Sequence, residues 1–177
     1  MKLVLLGYMG VGKSTLGKLI AQSFSLKFID LDQYIGDKED LSIPEIFKRK
    51  GEIYFRKKET ECLNEILLKE NNYVLSLGGG TPVYADNMES VLNTKGVISV
   101  YLKLDIKPLT DRLFAQKESR PLVAHYSSKD DLEEFIRKHL FERQTFYFLA
   151  HHVLNVTGKD ENASLDELIQ ILNQNTK

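Results

Sequence analysis

Five short apolar segments alternate along the chain with stretches that have the spacing of amphipathic helices. The apolar segments are residues 3–6, 27–31, 73–77, 97–102 and 153–156. Strands that are apolar throughout are typical of a parallel sheet, because the helices that join parallel strands cover both of its faces. The pattern therefore predicts an α/β fold in which a five-stranded parallel sheet lies between two layers of helices.

Length and composition limit the class of protein. A chain of 177 residues with a hydrophobic share of 42% is long enough for one domain with its own core. Its formal net charge of −1 argues against general binding to nucleic acid or to anionic membranes. No run reaches about 18 apolar residues, residues 3–6 are too short for a signal core, and Cys62 is the only cysteine. We expect a cytoplasmic protein without disulfides and, since no oversized apolar surface is evident, a monomer.

A glycine-rich motif stands between the first apolar segment and a helical pattern. Residues 7–14 read Gly-Tyr-Met-Gly-Val-Gly-Lys-Ser and fit G-x-x-x-x-G-K-[ST]. In this motif backbone N–H groups surround an anion, the lysine reaches the β- and γ-phosphates, and the hydroxyl holds Mg²⁺. A simple turn between strand and helix would explain Gly12 but not Lys13 and Ser14. The motif therefore predicts a site for a nucleoside triphosphate.

Polar residues and glycines follow two other predicted strands, at the end of the sheet where α/β proteins bind ligands. Asp30 and Asp32 are two residues apart, and this spacing on an extended chain puts both carboxylates on the same side. Such a pair favours Mg²⁺ or a substrate hydroxyl between the charges, and helix-capping aspartates in a solvated turn are the alternative. Residues 78–80 are glycines that let a ligand approach the backbone. No aspartate ends the third strand, so we expect Asp30 to serve the metal instead.

Two longer stretches interrupt the alternation of strands and helices. The first looks mostly helical, and we expect a substrate-binding insertion at about residues 33–60. The second is polar and irregular, and we expect a lid at about residues 116–130. Long insertions at strand ends commonly form substrate platforms and lids in α/β enzymes.

Three arginines in or near these stretches are candidates for anion binding. Arg56 lies between Glu52 and Glu59 at helical spacing, so an exposed salt-bridged helix face is a serious alternative for it. Arg143 lies on the helix that follows the irregular stretch. Arg120 precedes a proline that restricts the backbone, and it could close over phosphates during transfer.

Other patterns have more ordinary interpretations. We expect His125 and His139 at the surface, and we expect Phe141, Phe146 and Phe148 to pack in the core rather than on a cofactor. Capping boxes are predicted at two helix starts: Ser42 with Glu45, and Ser164 with Glu167.

Taken in order, the motifs resemble those of the shikimate kinases, and the resemblance covers essentially the whole chain. The matching motifs are residues 7–14, Asp30-x-Asp32, residues 46–59, Gly78-Gly79-Gly80, Arg120-Pro121-Leu122 and Glu142-Arg143-(x)3-Tyr147. The phosphate loop alone is common to many kinases, whereas the glycine run combined with Phe-Arg-x-x-Glu is far more specific. The resemblance implies strand order 2-3-1-4-5, ATP as donor and phosphorylation of the 3-hydroxyl of shikimate.

The resemblance also implies a role for each matching residue. Lys13 and Arg120 would contact phosphates, Ser14 would bind Mg²⁺ directly, and Asp30 would act on it through water. Asp32 would hold the substrate hydroxyls and accept the proton, while Arg112 and the segment after Val156 would flank the adenine. The implied ATP contacts are Gly10, Val11, Gly12, Lys13, Ser14, Thr15, Arg112 and Arg120. The implied shikimate contacts are Asp32, Arg56, Gly78, Gly79, Gly80 and Arg143, with Arg56 and Arg143 on the carboxylate.

Two other functions remain open at this point. A kinase for another small polyol acid, such as gluconate, would share the phosphate loop. A nucleotide-dependent switch of the GTPase type would need Asn-Lys-x-Asp and an Asp-x-x-Gly after the third strand, and the sequence has neither. The arrangement of Asp32, Arg56, the glycine run and Arg143 favours shikimate as the acceptor.

Overall fold

Five parallel strands form one sheet in the order β2-β3-β1-β4-β5, which confirms the predicted order. The strands are β1 (Lys2–Leu6), β2 (Lys27–Asp30), β3 (Tyr73–Ser76), β4 (Val97–Lys103) and β5 (His152–Asn155). The computed structural model describes residues 1–120 and 122–174, so Pro121 of the predicted arginine-proline motif lies outside the described residues. The side chains from Leu3 to Leu6 have no exposed surface, as expected for the central strand of a covered sheet.

Seven helices are described, and they cover both faces of the sheet. They are α1 (Lys13–Ser23), α2 (Leu31–Glu39), α3 (Ile43–Lys69), α4 (Asn87–Asn93), α5 (Ile106–Ala115), α6 (Lys129–Tyr147) and α7 (Glu161–Gln174). Short 3₁₀ helices occupy Thr81–Val83 and Lys117–Ser119. Strand β1 pairs with β3 on one side and β4 on the other, so the chain order reverses beside β1. Ligands bind at such a switch point, which puts the loops after β1 and β3 at the expected site.

The long helical stretch between β2 and β3 consists of α2 and α3, as predicted. Ser42 caps α3 and exchanges hydrogen bonds with Glu45, so the first predicted capping box is confirmed. Gly51 has φ 82° and ψ 170° and breaks α3 into two arms, a conformation that favours glycine. Phe47 before the break and Phe55 after it pack with ring centroids 4.6 Å apart, which holds the two arms together.

The second predicted capping box is wrong. Helix α7 already begins at Glu161, so Ser164 lies inside it and donates a hydrogen bond to the Asp160 carbonyl at 2.8 Å. The carboxylate of Asp160 accepts from the backbone N–H of Ala163 at 2.8 Å and is the side chain that satisfies the helix start. Two capping sequences lie close together here, and the earlier one begins the helix.

The core prediction for Phe141, Phe146 and Phe148 is wrong, because none of them belongs to the hydrophobic core and Phe146 is only half-buried. Phe141 is 73% exposed and Phe148 is 50% exposed, although Phe148 meets the Tyr101 ring edge-on. Helix α6 turns Leu140 inward, so the next side chain, Phe141, points to solvent.

No helix in the described part of the chain combines the length and the apolar character that crossing a membrane requires.

Candidate active site

The turn after β1 has the backbone of a phosphate loop. Gly10 and Gly12 have φ values of 80° and 102°, in the left-handed region that favours glycine. Gly12 also precedes α1, and no side chain among the described residues caps the start of this helix, so its first N–H groups can face an anion. The local sequence therefore builds the anion site predicted from the motif.

Lys13 is held inside this loop. Its Nζ donates hydrogen bonds to the carbonyls of Gly7 at 2.9 Å and Tyr8 at 3.0 Å, and the residue is 9% exposed. Burial lowers the pKa of Lys13 to about 8, and the charges of Asp32 and Asp30 oppose that shift. The ammonium group of Lys13 therefore lies beside the predicted anion site.

A cavity of about 520 Å³ opens above the loop. Its walls are the phosphate loop, the ends of β2 and β3, the end of α5 and the start of α7. All eight predicted ATP contacts line it: Gly10, Val11, Gly12, Lys13, Ser14, Thr15, Arg112 and Arg120. Arg112 also donates to the carbonyl of Gly10 at 2.9 Å, which ties the end of α5 to the loop.

Asp30 combines two contacts at the floor of this cavity. One carboxylate oxygen accepts from the backbone N–H of Asp32 at 3.2 Å and caps α2, so the capping interpretation is correct for Asp30. The other oxygen accepts from the Ser14 hydroxyl at 2.7 Å. Hydroxyl and carboxylate oxygens are ligands that Mg²⁺ uses together with substrate phosphates, so this pair fits a divalent cation.

Asp32 lies in the first turn of α2 and not on an extended chain, so the geometric reason given for the pair was wrong. Strand β2 passes into α2 without a loop, which turns Asp32 toward the glycine run. A Cβ atom added to Gly78 would lie 3.1 Å from the Oδ1 atom of Asp32. Burial and the charges of Asp30 and Glu59 raise the pKa of Asp32 to about 6. The carboxyl therefore ionises close to neutral pH.

Arg56 is part of a buried ion pair, and the exposed-face alternative is wrong. Its Nη1 donates to Glu59 at 2.8 Å, and the two side chains are only 14% and 1% exposed. The Thr81 hydroxyl donates to the other Glu59 oxygen at 2.6 Å. Only the bridge to Glu52, at 3.5 Å, reaches solvent. The site prediction omitted Glu59 and Thr81, although the spacing of three between Arg56 and Glu59 was a signal.

The guanidinium of Arg56 is also enclosed by rings and by Gly80. Its Cζ lies 5.6 Å from the ring centroid of Tyr84 and 5.2 Å from that of Phe55. A Cβ on Gly80 would lie 2.8 Å from both terminal nitrogens of the arginine. The glycine is needed here for close approach, and no local pattern in the sequence indicated Tyr84.

Arg143 approaches the glycine run through Tyr147. Burial raises the pKa of Tyr147 to about 12, and the positive charge of nearby Arg143 acts in the opposite direction. The Tyr147 hydroxyl donates to the carbonyl of Gly79 at 2.6 Å. Arg56, Gly80 and Arg143 are not among the described residues that line the nucleotide cavity. They adjoin it through Gly79, which does line it.

Arg120 lies over the nucleotide cavity from the segment predicted as a lid. Its Nη2 donates to Gln116 at 3.2 Å, whereas its buried Nε has no hydrogen-bond partner within residues 1–120 and 122–174. A buried donor without a partner is costly, so a bound anion would be favoured there. The Lys117 ammonium donates to the carbonyl of Tyr126 at 2.9 Å, which joins the two sides of this segment.

Several residues near the cavity were missed or misjudged from sequence. The segment predicted to flank adenine, residues 157–159, reaches the cavity at Lys159, and Asp160, Glu161 and Ser164 at the start of α7 line it as well. His139 is half-buried and lies 2.7 Å from the Tyr8 hydroxyl, so its predicted surface position is wrong.

The fold and the site together define a phosphate-loop kinase whose cavity adjoins the basic residues Arg56 and Arg143, which together are called the basic pocket. The family model described as shikimate kinase matches residues 9–173. A shikimate kinase of Flavobacterium johnsoniae is 44% identical and covers 97% of this chain and 98% of its own. The chain belongs to the shikimate kinase family.

Solved structures agree with this assignment. The crystal structure of shikimate kinase from Bacteroides thetaiotaomicron superposes with a TM-score of 0.89 at 35% identity and 98% coverage of both chains. Shikimate kinase from Acinetobacter baumannii in complex with shikimate gives 0.83 at 30% identity, covering 98% of this chain and 93% of that one. A gluconokinase from Sinorhizobium meliloti gives 0.56 at 15% identity with coverages of 99% and 97%, which shows the shared fold alone. The relatives confirm the predicted family, and those with high identity are named shikimate kinases.

Proposed function

We propose that the enzyme transfers the γ-phosphoryl group of ATP to the 3-hydroxyl of shikimate, giving shikimate 3-phosphate and ADP. One observation carries this proposal. Asp32 lines the nucleotide cavity and also faces Gly78, at the start of the glycine run that Arg56 and Tyr147 contact. A hydroxyl bound to this carboxylate would therefore lie between the donor phosphates and the basic pocket.

On the donor side, the phosphate loop would hold the triphosphate. Lys13 would exchange the carbonyls of Gly7 and Tyr8 for phosphate oxygens, and the free N–H groups of α1 would bind the same oxygens. The Nε of Arg120, which has no hydrogen-bond partner among the described residues, would meet the charge that develops on the transferred group. Arg112 would lie against the adenine at the outer end of the cavity.

A divalent cation is expected for an ATP-dependent kinase, and we propose Mg²⁺, held by Ser14 directly and by Asp30 through water. When bound, Mg²⁺ neutralises phosphate charge during transfer. The side chains of Ser14 and Asp30 are already 2.7 Å apart, so little movement is needed to bring both to one ion.

On the acceptor side, Arg56 and Arg143 would bind the shikimate carboxylate, because planar guanidinium groups suit bidentate bonds to carboxylates. The glycines at 78–80 would let the ring approach the backbone. Above pH 6 the ionised Asp32 would accept the hydrogen bonds of the substrate hydroxyls and then the proton of the attacking one. Positioning and charge supply most of the rate enhancement in such transfers.

The proposed carboxylate site predicts a selective loss of shikimate binding. Replacing Arg143 by alanine is expected to raise KM for shikimate about 10–100-fold, the value of a charged hydrogen bond, with KM for ATP nearly unchanged. Arg56→Lys is the suitable second variant because removing the charge would leave the buried Glu59 unpaired. Steady-state kinetics with each substrate varied measure both effects, and an equal rise in the two KM values would contradict the assignment.

Gly80→Ala tests the same pocket without removing a charge. Gly80 has φ −91°, so alanine fits the backbone, but its methyl group would displace the Arg56 guanidinium. We expect KM for shikimate to rise about tenfold and the melting temperature to change little, because the displaced atoms are the end of a flexible side chain. Unchanged shikimate kinetics would show that Arg56 does not bind the acceptor from its present position.

We further propose that residues 116–130 act as a lid within a single kinase domain and that residues 33–60 carry the acceptor. Limited proteolysis is expected to cut residues 116–130 in the free enzyme and to slow when ADP and shikimate are both present. Equal cleavage in the presence and absence of ligands would remove the lid from the mechanism.

The proposal also includes a monomer acting in the cytoplasm, as expected from the sequence. ADP release measured with shikimate, gluconate and no acceptor tests the function directly. We expect ADP release with shikimate only. Turnover of gluconate without turnover of shikimate would assign the site to the other acid.

A further inference from the structure

One face of α6 carries side chains at intervals of four residues, which lie above one another on a helix. This α6 row consists of Phe135, His139, Arg143 and Tyr147. At one end, Phe135 stacks on Tyr126 of the proposed lid with ring centroids 5.3 Å apart. At the other end, Tyr147 donates a hydrogen bond to Gly79. The row therefore runs from the lid to the acceptor pocket.

His139 connects this row to the phosphate loop. Its Nδ1 lies 2.7 Å from the hydroxyl of Tyr8, and the two rings meet edge to face at 5.5 Å. Tyr8 is only 2% exposed. Burial raises the pKa of Tyr8 and lowers that of His139, so a protonated phenol faces a neutral imidazole and can donate to its Nδ1.

Both partners of this hydrogen bond are attached to groups that the reaction needs. The carbonyl of Tyr8 accepts a hydrogen bond from Lys13 at 3.0 Å, so the position of Tyr8 affects where the ammonium lies. Arg143 follows His139 by one turn of the same helix. The charge of Arg143 also acts on the Tyr8 hydroxyl. One contact thus joins the loop for the donor phosphates to the helix that bears the acceptor arginine.

We infer that Tyr8 and His139 are positioning residues, and that their hydrogen bond fixes the phosphate loop relative to the helix that carries Arg143. This inference rests on the proposed function and adds residues that need not touch either substrate. Transfer requires the reacting atoms at about 3–3.5 Å and in line. Without this hydrogen bond, the donor site and the acceptor site would each keep their own ligand contacts, but their relative position would no longer be fixed. We therefore expect kcat to fall while both KM values stay unchanged.

The experiment compares Tyr8→Phe, His139→Leu and the double variant with the wild-type enzyme. We expect each single variant to lower kcat about three- to tenfold, as for loss of one hydrogen bond, and both KM values to change less than twofold. The double variant is expected to lose no more than the worse single variant, because both changes break one interaction. His139→Asn, whose amide takes the place of Nδ1, is expected to restore kcat to within about twofold of wild type.

Tyr73→Phe is the matched control. Tyr73 is also fully buried, but its hydroxyl has no hydrogen-bond partner among the described residues, and it lies at the start of β3, away from the site. Its kcat should equal that of wild type. A kcat within twofold of wild type for both Tyr8→Phe and His139→Leu would overturn the inference, as would losses that multiply in the double variant or appear only in KM. Absence of turnover by the wild-type enzyme would instead overturn the proposed function, and this inference with it.

Discussion

Replacing Asp32 by asparagine is expected to lower kcat about 10²–10⁴-fold, the usual contribution of a positioned general base. Asparagine keeps the shape and can still bond a hydroxyl, but it cannot take the proton. Steady-state kinetics with saturating ATP measure the loss. Asp37→Asn is the matched control, because Asp37 lies on the same helix with its side chain exposed and bonded only to Gln33 among the described contacts.

The same variant has a predicted pH signature. Burial first, then Asp30 and Glu59, raise the pKa of Asp32 from 3.8 to about 6. The wild-type kcat/KM for shikimate should therefore fall as the pH drops through 6, because the base becomes protonated. The asparagine variant should lack this acid limb. A limb that persists in Asp32→Asn would assign the titration to another group and remove Asp32 from proton transfer.

The Asp32→Asn substitution is expected to raise the free energy of unfolding at pH 7 while it lowers the activity. Because its pKa is raised in the folded state, Asp32 contributes most to the free energy of unfolding when protonated, and this contribution declines as the pH rises from 3.8 through about 6. At pH 7 the ionised carboxylate costs about 1–2 kcal/mol, after allowance for partial screening by solvent. Asp32→Asn should therefore unfold at a higher temperature at pH 7. A less stable variant would mean that its inactivity cannot be attributed to chemistry.

Lys13→Ala is expected to lower kcat about 10²–10³-fold, because one donor that stabilises developing charge is lost. The ammonium already lies inside the loop, bonded to the carbonyls of Gly7 and Tyr8, so only short movements would bring it to the phosphates. The effect should appear at saturating ATP and not only as weaker ATP binding. Kinetics with ATP and shikimate varied separate the two.

Lys18→Ala is the control for the lysine. Lys18 lies on the same helix, with its ammonium over the Phe28 ring at 5.9 Å and its side chain exposed. It should retain wild-type turnover. Near-normal turnover by Lys13→Ala would show that the phosphate loop is not the reaction site.

The sheet was predictable because the central strands β1, β3 and β4 are apolar runs buried on both faces, whereas the edge strands β2 and β5 are only partly buried. The phosphate loop was predictable because its glycines, Lys13 and Ser14 are neighbours in the sequence. Predictions from local patterns failed where the same few residues fit two different structures. Ser164 has the sequence of a helix cap but lies inside α7, since Asp160 begins the helix first.

Contacts between distant segments could not be predicted from local patterns. The buried environment of Arg56 depends on Thr81 and Tyr84, which come from the turn after β3. The Tyr8–His139 bond joins residues 131 positions apart, and neither residue has a neighbouring pattern that indicates a partner. The sequence motifs thus predicted the residues that carry the chemistry, but the residues that orient them could be identified only from the fold.

The most direct measurement is a crystal structure of the enzyme with a non-hydrolysable ATP analogue, Mg²⁺ and shikimate. We expect the triphosphate on residues 10–15, the shikimate carboxylate between Arg56 and Arg143, and the 3-hydroxyl bonded to Asp32 and directed at the γ-phosphate. A triphosphate bound elsewhere, or shikimate with its carboxylate away from both arginines, would contradict this expectation.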